Sequence, residues 1–353
     1  MVKKTITLLL GTLLSALSVL GQGPGSSGIY YQAADGKKGA ELKTALFQVI
    51  SPHIMLSYTP GVWNAINSYD LRPDGTVWDI YSAVARFRPV TDQDKGDDTV
   101  TDEGRVYNRE HAMPKSWFNE GNDQSYPMYT DLHHLFPTDR IVNTMRSNYP
   151  YGEVRKDVKP TKQSAEGFSK FGICDPAIGY TRVNGQARVF EPNDEYKGDL
   201  ARVYFYMATC YESYKTNGGK ERSPRDWTSD MLTSDVYPFF TDWALRMLLR
   251  WAQQDPVSQK EIERNEAIFA LQHNRNPYVD YPGLEQYVWG AYVNVAFSYD
   301  HYQPVETGIA DVADGTRQPG GDAVYSLSGT RLKAGTRLSR GIYIRGGRKL
   351  QVK

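Results

Sequence analysis

The sequence predicts an α+β fold that is rich in helix and carries a small β segment at its C-terminal end. Apolar residues recur at helical spacing in several stretches, whereas the β-like runs are short. The two kinds of segment do not alternate regularly, which argues against a parallel βαβ sheet. Aromatic residues make up 12% of the 353 residues, far more than in disordered chains, so we expect a sizeable core.

The individual elements follow from periodicity and from capping or turn residues. The predicted helices cover 39–51, 62–68, Pro137 to Ser147, a stretch capped by Asp199, the region near 237–251, and Asp255-Pro256 to about His273. The predicted strands cover 76–81, 106–110, 129–136 and the flanks of a type I′ turn at Asn184-Gly185. The acidic stretch 91–104 is predicted to be a solvated loop, because its spacing is not that of an EF-hand.

The N-terminal end has the pattern of a secretory signal peptide over residues 1–21. Lys3 and Lys4 precede an apolar run, and Val19 and Gly21 are the small residues that favour cleavage before Gln22. The run of about 16 apolar residues is shorter than a spanning helix needs. We therefore expect export, a secreted or cell-surface protein, and no membrane span.

The C-terminal end changes composition. Residues 303–321 are rich in Gly, Pro, Asp and Thr and are predicted to be a linker between a domain at 22–302 and a β segment at 322–353. The runs VYSLSGTRL, GIYI and GRKLQVK resemble the C-terminal sorting domain of the type IX secretion system. That resemblance implies type IX-like secretion machinery as a partner, and the alternative is a β appendage on the main domain.

Charge and cysteine content narrow the possibilities further. The whole chain is neutral, but residues 22–321 hold 31 Lys and Arg against 40 Asp and Glu, which argues against binding nucleic acid through net charge alone. Two cysteines exclude a disulfide framework and a Cys-rich metal site. Export permits a Cys174–Cys210 disulfide, and two buried free thiols are the alternative.

Residues suited to phosphodiester hydrolysis cluster in one part of the chain. Three of the six histidines, His111, His133 and His134, fall between positions 111 and 134, with Glu110 and Asn143 close by in sequence. Carboxylate and amide oxygens are ligands for a hard cation such as Mg²⁺, and a neutral imidazole can deprotonate an attacking water. The cluster predicts a metal-assisted hydrolytic site.

The segments that carry these residues, NREHAMPKSWF and DLHHLFPTDRIVNTMRSN, resemble the bacterial endonuclease I family of periplasmic and secreted nucleases. The resemblance extends over roughly residues 40–285. It implies a ββα-metal (His-Me finger) core within a helix-rich nuclease domain. It further implies that His111 is the general base, that Glu110 and Asn143 hold one Mg²⁺, and that the products carry 5′-phosphate ends.

The sequence departs from the family pattern at two places. His134 occupies the position of an Asn, and the Arg expected between the Glu-His pair and the second strand is absent. Arg146 is taken as the catalytic substitute for that Arg, with Arg109 as the next candidate. Asp131 and His133 are predicted to support the site from behind. The residues predicted to contact nucleic acid are Arg109, Lys115, Arg155, Lys156 and Lys159.

Together these features predict a monomeric, secreted, Mg²⁺-dependent and sequence-nonspecific endonuclease that acts on DNA, with RNA as a second candidate substrate. Two alternatives stay open. A metal-dependent phosphodiesterase or phosphatase for small phosphates could use the same His, Glu and Asn. A catalytically inactive surface module that binds nucleic acid would account for the missing Arg.

Overall fold

The computed structural model describes residues 27–97, 99–118, 124–182 and 184–302, and the backbone of three strands near the C-terminus. The predicted signal peptide and linker lie outside the described residues. The chain divides into two compact units, Met1–Val305 and Glu306–Lys353. Both helices and strands are present in the described part, which confirms the α+β class.

The elements are numbered in chain order. The strands β1 to β10 are Tyr107–His111, Leu135–Asp139, Lys162–Gln163, Lys170–Ile173, Arg188–Glu191, Tyr214–Lys215, Glu221–Arg222, Val324–Ser326, Gly341–Arg345 and Arg348–Val352. The helices α1 to α9 are Gly39–Ile50, Trp63–Tyr69, Lys115–Phe118, Arg140–Arg146, Lys197–Cys210, Asp242–Gln254, Gln259–Gln272, Pro277–Asp280 and Leu284–Val288.

The core of the larger unit is built around α5, which is buried along its whole length. Helices α1 and α6 pack against it, and their apolar faces bury Leu46, Leu248 and Trp251. Gly198 permits this close packing, since an added Cβ would lie 2.0 Å from the carbonyl oxygen of Asp255. A side chain at position 198 would therefore force α5 away from the end of α6.

A short unit of two strands and a helix carries the predicted base, metal ligands and catalytic arginine. Strand β1 pairs antiparallel with β2, so that Glu110 lies opposite Phe136 and His111 opposite Leu135. Helix α4 follows β2 directly because the Asp139 side chain accepts hydrogen bonds from the backbone N–H groups of Ile141 and Val142, at 2.8 and 3.0 Å. This reversal returns Asn143 to the side of β1.

The segment before α4 differs from its prediction. Residues 129–134 do not form a strand: two 3₁₀ turns, Pro127–Thr130 and Leu132–His134, precede β2. The Asp131 side chain accepts from the backbone N–H of His133 and caps the second turn, which local sequence spacing did not indicate. Pro137 lies within β2 and does not open the helix.

Other predictions were partly right. Helices α1 and α2, strand β1 and the end of α7 at His273 are confirmed. Residues 76–81 hold only an isolated bridge of Val77 to Leu71, so the predicted strand there was wrong. The hairpin at Asn184-Gly185 was also wrong, because the partner of β5 is β4. The capping box at Ser258, not Pro256, starts α7.

The remaining helix starts also shifted. Helix α5 begins two residues before Asp199, after a 3₁₀ turn at Asp194–Tyr196, and α6 begins only at Asp242.

Cys174 and Cys210 are both buried free thiols. In the smaller unit, the strands form an antiparallel sheet in the order β10-β9-β8. Among the described residues, no helix combines the length and apolar character needed to cross a bilayer.

A buried ion pair between α5 and α7 provides a test of the core. Arg202 is 2% exposed and donates to both carboxylate oxygens of Glu261, at 2.6 and 2.8 Å. Arg202→Leu leaves that carboxylate buried without its partner, so we expect the free energy of unfolding to fall by about 3–5 kcal/mol. Urea denaturation measures the change. Arg88→Leu is the matched control, because Arg88 pairs with Asp92 at the surface. Equal stability of the two variants would contradict the prediction.

Candidate active site

A cavity of about 550 Å³ opens beside the C-terminal end of β1. Residues of β1, α3 and α4 line it, among them the predicted base, both predicted metal ligands and some of the predicted phosphate contacts. The predicted residues that line it are Arg109, Glu110, His111, Lys115, Asn143 and Arg146. Glu110 and His111 both line this cavity, although neighbours on a strand point to opposite faces and His111 is the last residue of β1.

His111 is oriented by one backbone contact. Its Nε2 lies 3.0 Å from the carbonyl oxygen of Tyr129. A carbonyl only accepts, so Nε2 carries the ring hydrogen and Nδ1 keeps its lone pair. Burial holds the pKa of His111 well below its ordinary value, and the neighbouring His134, whose ring centroid is 5.3 Å away, acts in the same direction. The imidazole is therefore neutral at neutral pH and its Nδ1 can accept a proton.

Glu110 presents its two carboxylate oxygens differently. Oε1 accepts from the Tyr81 hydroxyl at 2.9 Å and from Arg146 Nη1 at 3.2 Å. Oε2 receives no hydrogen bond from the described residues. Burial raises the pKa of Glu110 to about 6, against the opposing effects of Arg146 and Tyr81. One oxygen is thus fixed by the protein and the other can serve as a ligand.

Asn143 is oriented by its amide nitrogen. Its Nδ2 donates to Asn108 Oδ1 at 2.8 Å. Because Asn143 lines the cavity, its Oδ1 remains there as a hydrogen-bond acceptor or metal ligand. Glu110 and Asn143 therefore offer one hard oxygen each. Within the described residues no group of three His, Cys, Asp or Glu side chains could hold a metal. The pair suits a cation that keeps most of its ligands as water or phosphate, as Mg²⁺ does.

Arg146 is almost wholly enclosed, with 1% of its surface exposed. Besides Glu110, it contacts the carbonyl oxygens of His111 at 3.2 Å and Ala112 at 2.6 Å, and its guanidinium carbon lies 4.7 Å from the centre of the Tyr151 ring. These contacts hold the end of β1 against α4. The catalytic role assigned to Arg146 stays a prediction.

Asp131 and His133 lie away from the cavity lining. Asp131 is buried and accepts from the hydroxyls of Tyr206 and Tyr211, at 2.7 and 2.6 Å, and from Gln272 at 2.7 Å. His133 Nε2 lies 3.3 Å from the carbonyl oxygen of Asn274. Their contacts stabilise the turns that precede β2, and one of these turns carries the Tyr129 carbonyl that orients His111.

The predicted nucleic-acid contacts fall into two groups. Arg109 and Lys115 line the cavity. Arg155, Lys156 and Lys159 are absent from its lining, and Arg155 is paired with Asp157, Nε to Oδ1, at 2.9 Å. The loop 155–159 would therefore meet only parts of a substrate that extend beyond the cavity.

Several site residues were not found from sequence. Tyr81 contacts Glu110 from a segment 29 positions away, and its hydroxyl also bonds that of Tyr151. No local pattern marks either tyrosine. Asp94 lines the cavity and pairs with Arg140 at 3.6 Å, although its acidic loop was predicted to be only solvated. Asn108 was detectable in principle, two positions before Glu110.

Comparisons with known proteins identify the family of this chain. The model of the family described as Endonuclease I matches residues 38–283, a range that contains the whole cavity lining. The chain belongs to the endonuclease I family. The resemblance drawn from the two motifs is thereby confirmed, and membership makes the chain a nucleic-acid hydrolase.

Some similar proteins are named as ribonucleases and others as deoxyribonucleases. The chain is 35% identical to the "Extracellular ribonuclease" of Bacillus amyloliquefaciens over 263 residues, which are 74% of this chain and 78% of that protein. It is 34% identical to the protein of the same name from Bacillus subtilis (strain 168), with the same coverage. It is 26% identical to the "Periplasmic deoxyribonuclease" of Aeromonas hydrophila over 43% of this chain and 48% of that protein.

The hydrogen bond from Tyr81 to Glu110 gives this endonuclease I family member a testable structural contact. Tyr81→Phe removes a donor to a buried carboxylate, so we expect the free energy of unfolding to fall by about 1.5–3 kcal/mol in urea denaturation. Tyr292→Phe is the control, since Tyr292 is 38% exposed. Unchanged stability of Tyr81→Phe would show that the bond contributes nothing.

Proposed function

We propose that this chain is a secreted, Mg²⁺-dependent, sequence-nonspecific endonuclease that cleaves DNA and RNA to fragments with 5′-phosphate ends. The observation that carries the proposal is the convergence on one cavity of a neutral imidazole with an unprotonated Nδ1, at His111, and two oxygen donors, at Glu110 and Asn143. Family membership supplies the reaction class.

Strands β1 and β2 with helix α4 would form the ββα-metal unit. Glu110 Oε2 and Asn143 Oδ1 would hold one Mg²⁺, and the hydrogen bonds from Tyr81 and Arg146 to Glu110 and from Asn143 to Asn108 orient these two ligands. When bound, the ion polarises the phosphate and counters the charge on the departing oxygen.

His111 performs the proton transfer in this proposal. Nδ1 takes a proton from a water molecule whose oxygen bonds to phosphorus. The bond from phosphorus to the 3′ oxygen breaks, its electron pair stays on that oxygen, and solvent protonates it. The Tyr129 carbonyl accepts from Nε2 and so stabilises the cationic ring until His111 returns its proton to solvent. The products are a 5′-phosphate and a 3′-hydroxyl.

The two substrates and the location rest on the relatives and on the chain's two ends. Relatives named as ribonucleases match over about three quarters of this chain, and relatives named as deoxyribonucleases over less than half. Several are named extracellular or periplasmic. The signal-like residues 1–21 and the sorting-like tail support export, the tail by type IX-like machinery.

The role of His111 can be tested on nucleic acid. We expect His111→Ala to lower the rate of plasmid nicking and of RNA cleavage by about 10²–10⁴-fold, because the water loses its base. EDTA should abolish cleavage by the wild type. The assay uses the chain from Gln22, with agarose gels for supercoiled plasmid and for structured RNA.

The matched control is His301→Ala, because the His301 side chain is 84% exposed and does not line the cavity. It should cleave like the wild type. Equal cleavage by His111→Ala and the wild type would refute the assignment of the base. A folded wild type that cleaves neither substrate with Mg²⁺ would refute the proposed function.

The metal ligands can be tested by titration. Asn143→Ala should raise the Mg²⁺ concentration for half-maximal activity at least about tenfold and weaken Mg²⁺ binding in calorimetry, since it removes one of two protein ligands. Glu110→Gln should do the same, and it requires a folding check because it disturbs the pair with Arg146. Asn148 also lines the cavity, so Asn148→Ala is the control, and it should keep the wild-type Mg²⁺ affinity. Unchanged Mg²⁺ affinity in Asn143→Ala would exclude it as a ligand.

A further inference from the structure

Hydrolysis of a phosphodiester places additional negative charge on the oxygens of the phosphate in the transition state. A fixed cation facing those oxygens lowers the barrier, most of all when it is preorganised. Among the described residues that line the cavity, the arginines are Arg109 and Arg146. Their contacts decide which of the two can face a phosphate.

Both Nη groups of Arg146 are bound to the protein. Nη1 and Nη2 bind Glu110 and the carbonyl oxygens of His111 and Ala112, at 2.6 to 3.2 Å. Its Nε is buried without a partner, and only 1% of the side chain surface is exposed. Arg146 therefore offers a phosphate little accessible surface, and its ion pair is with Glu110, which the proposed function requires as a metal ligand.

Arg109, in contrast, is held mainly by aromatic rings that pack against its guanidinium. Its guanidinium carbon lies 3.4 Å from the centre of the Tyr58 ring and 4.4 Å from that of Trp63. Nη1 donates to the Tyr58 carbonyl oxygen and to Thr59 Oγ1. Nε and Nη2 make no hydrogen bond to the described residues. The stacking fixes the plane of the guanidinium and leaves a fork of N–H groups for a ligand oxygen.

The position of Arg109 also matches that of the base. Arg109 and His111 are two residues apart on β1 and so lie on the same face, about 7 Å apart along the strand. The Tyr58 ring, which stacks on Arg109, is also nearly parallel to the His111 ring, with centroids 6.0 Å apart and an angle of 27°. A phosphate attacked by the water at His111 would lie within reach of the fork.

We propose that Arg109 is the catalytic arginine that binds the non-bridging oxygens of the scissile phosphate, and that Tyr58 and Trp63 are the positioning residues that fix its plane. This inference rests on the proposed endonuclease function. Arg109 thereby takes the role predicted from sequence for Arg146, and Arg146 positions Glu110.

The test compares a polymer with a substrate that has a single phosphate. Arg109→Gln and Arg109→Lys are assayed with Mg²⁺ on plasmid DNA and on bis(4-nitrophenyl) phosphate. We expect kcat of Arg109→Gln to fall by about 10²–10³-fold on both substrates, as when one preorganised donor is lost. Arg109→Lys should recover part of kcat, because it restores the charge without the planar fork. Tyr58→Leu should lower kcat more than it raises KM.

Arg88→Gln makes the same chemical change at a surface arginine outside the cavity lining and should keep the wild-type kcat on the small diester. Urea denaturation checks that each variant is folded, and Arg109→Lys carries the test if Arg109→Gln is not. Loss of polymer cleavage with normal turnover of the small diester would overturn the proposal, since Arg109 would then contact only flanking phosphates. Wild-type activity in every Arg109 variant would overturn it too. An inactive wild type would instead refute the proposed function itself.

Discussion

The buried contact between Glu110 and Arg146 is the interaction on which the site depends. Enclosing two charges costs free energy, and their attraction offsets that cost only when the geometry is tight and the remaining polar atoms are satisfied. Here the carboxylate also accepts from Tyr81, and the guanidinium also binds backbone carbonyls at the end of β1. Because Arg146 is the last residue of α4, the pair joins that helix to the strand that carries the base.

The same contact determines which side-chain atoms of the site remain available to a metal or a substrate. With Oε1 of Glu110 occupied by protein donors, only Oε2 is available to a cation. With Arg146 enclosed, the arginine of the cavity lining that remains open to a substrate is Arg109, which is held by the rings of Tyr58 and Trp63. The tyrosines that complete this arrangement come from separate segments of the chain, and the hydroxyls of Tyr81 and Tyr151 meet behind Glu110. The chemistry therefore depends on packing as much as on the Glu-His pair.

Sequence could predict what is local and chemical. Glu110 and His111 adjoin each other, Asn143 follows at a spacing that a strand and a helix can close, and α1, α2 and β1 have clear apolar patterns. The sequence could not predict the turns before β2, because HHLF has the pattern of a strand and the capping by Asp131 is visible only in the structure. Nor could it find Tyr81 or distinguish Arg146 from Arg109, since burial and partners 29 to 51 positions away decide their roles. The ion-pair network of Arg202 and Glu261 was invisible for the same reason.

The two cysteines bear on how the folded protein responds to the redox state of its surroundings. Cys174 and Cys210 are separate buried thiols, and burial raises the pKa of Cys174 to about 12. A thiol with so high a pKa forms almost no thiolate, which is the species that exchanges with disulfides. The folded structure depends on no disulfide between its two cysteines, so reducing agents should leave the folded protein intact.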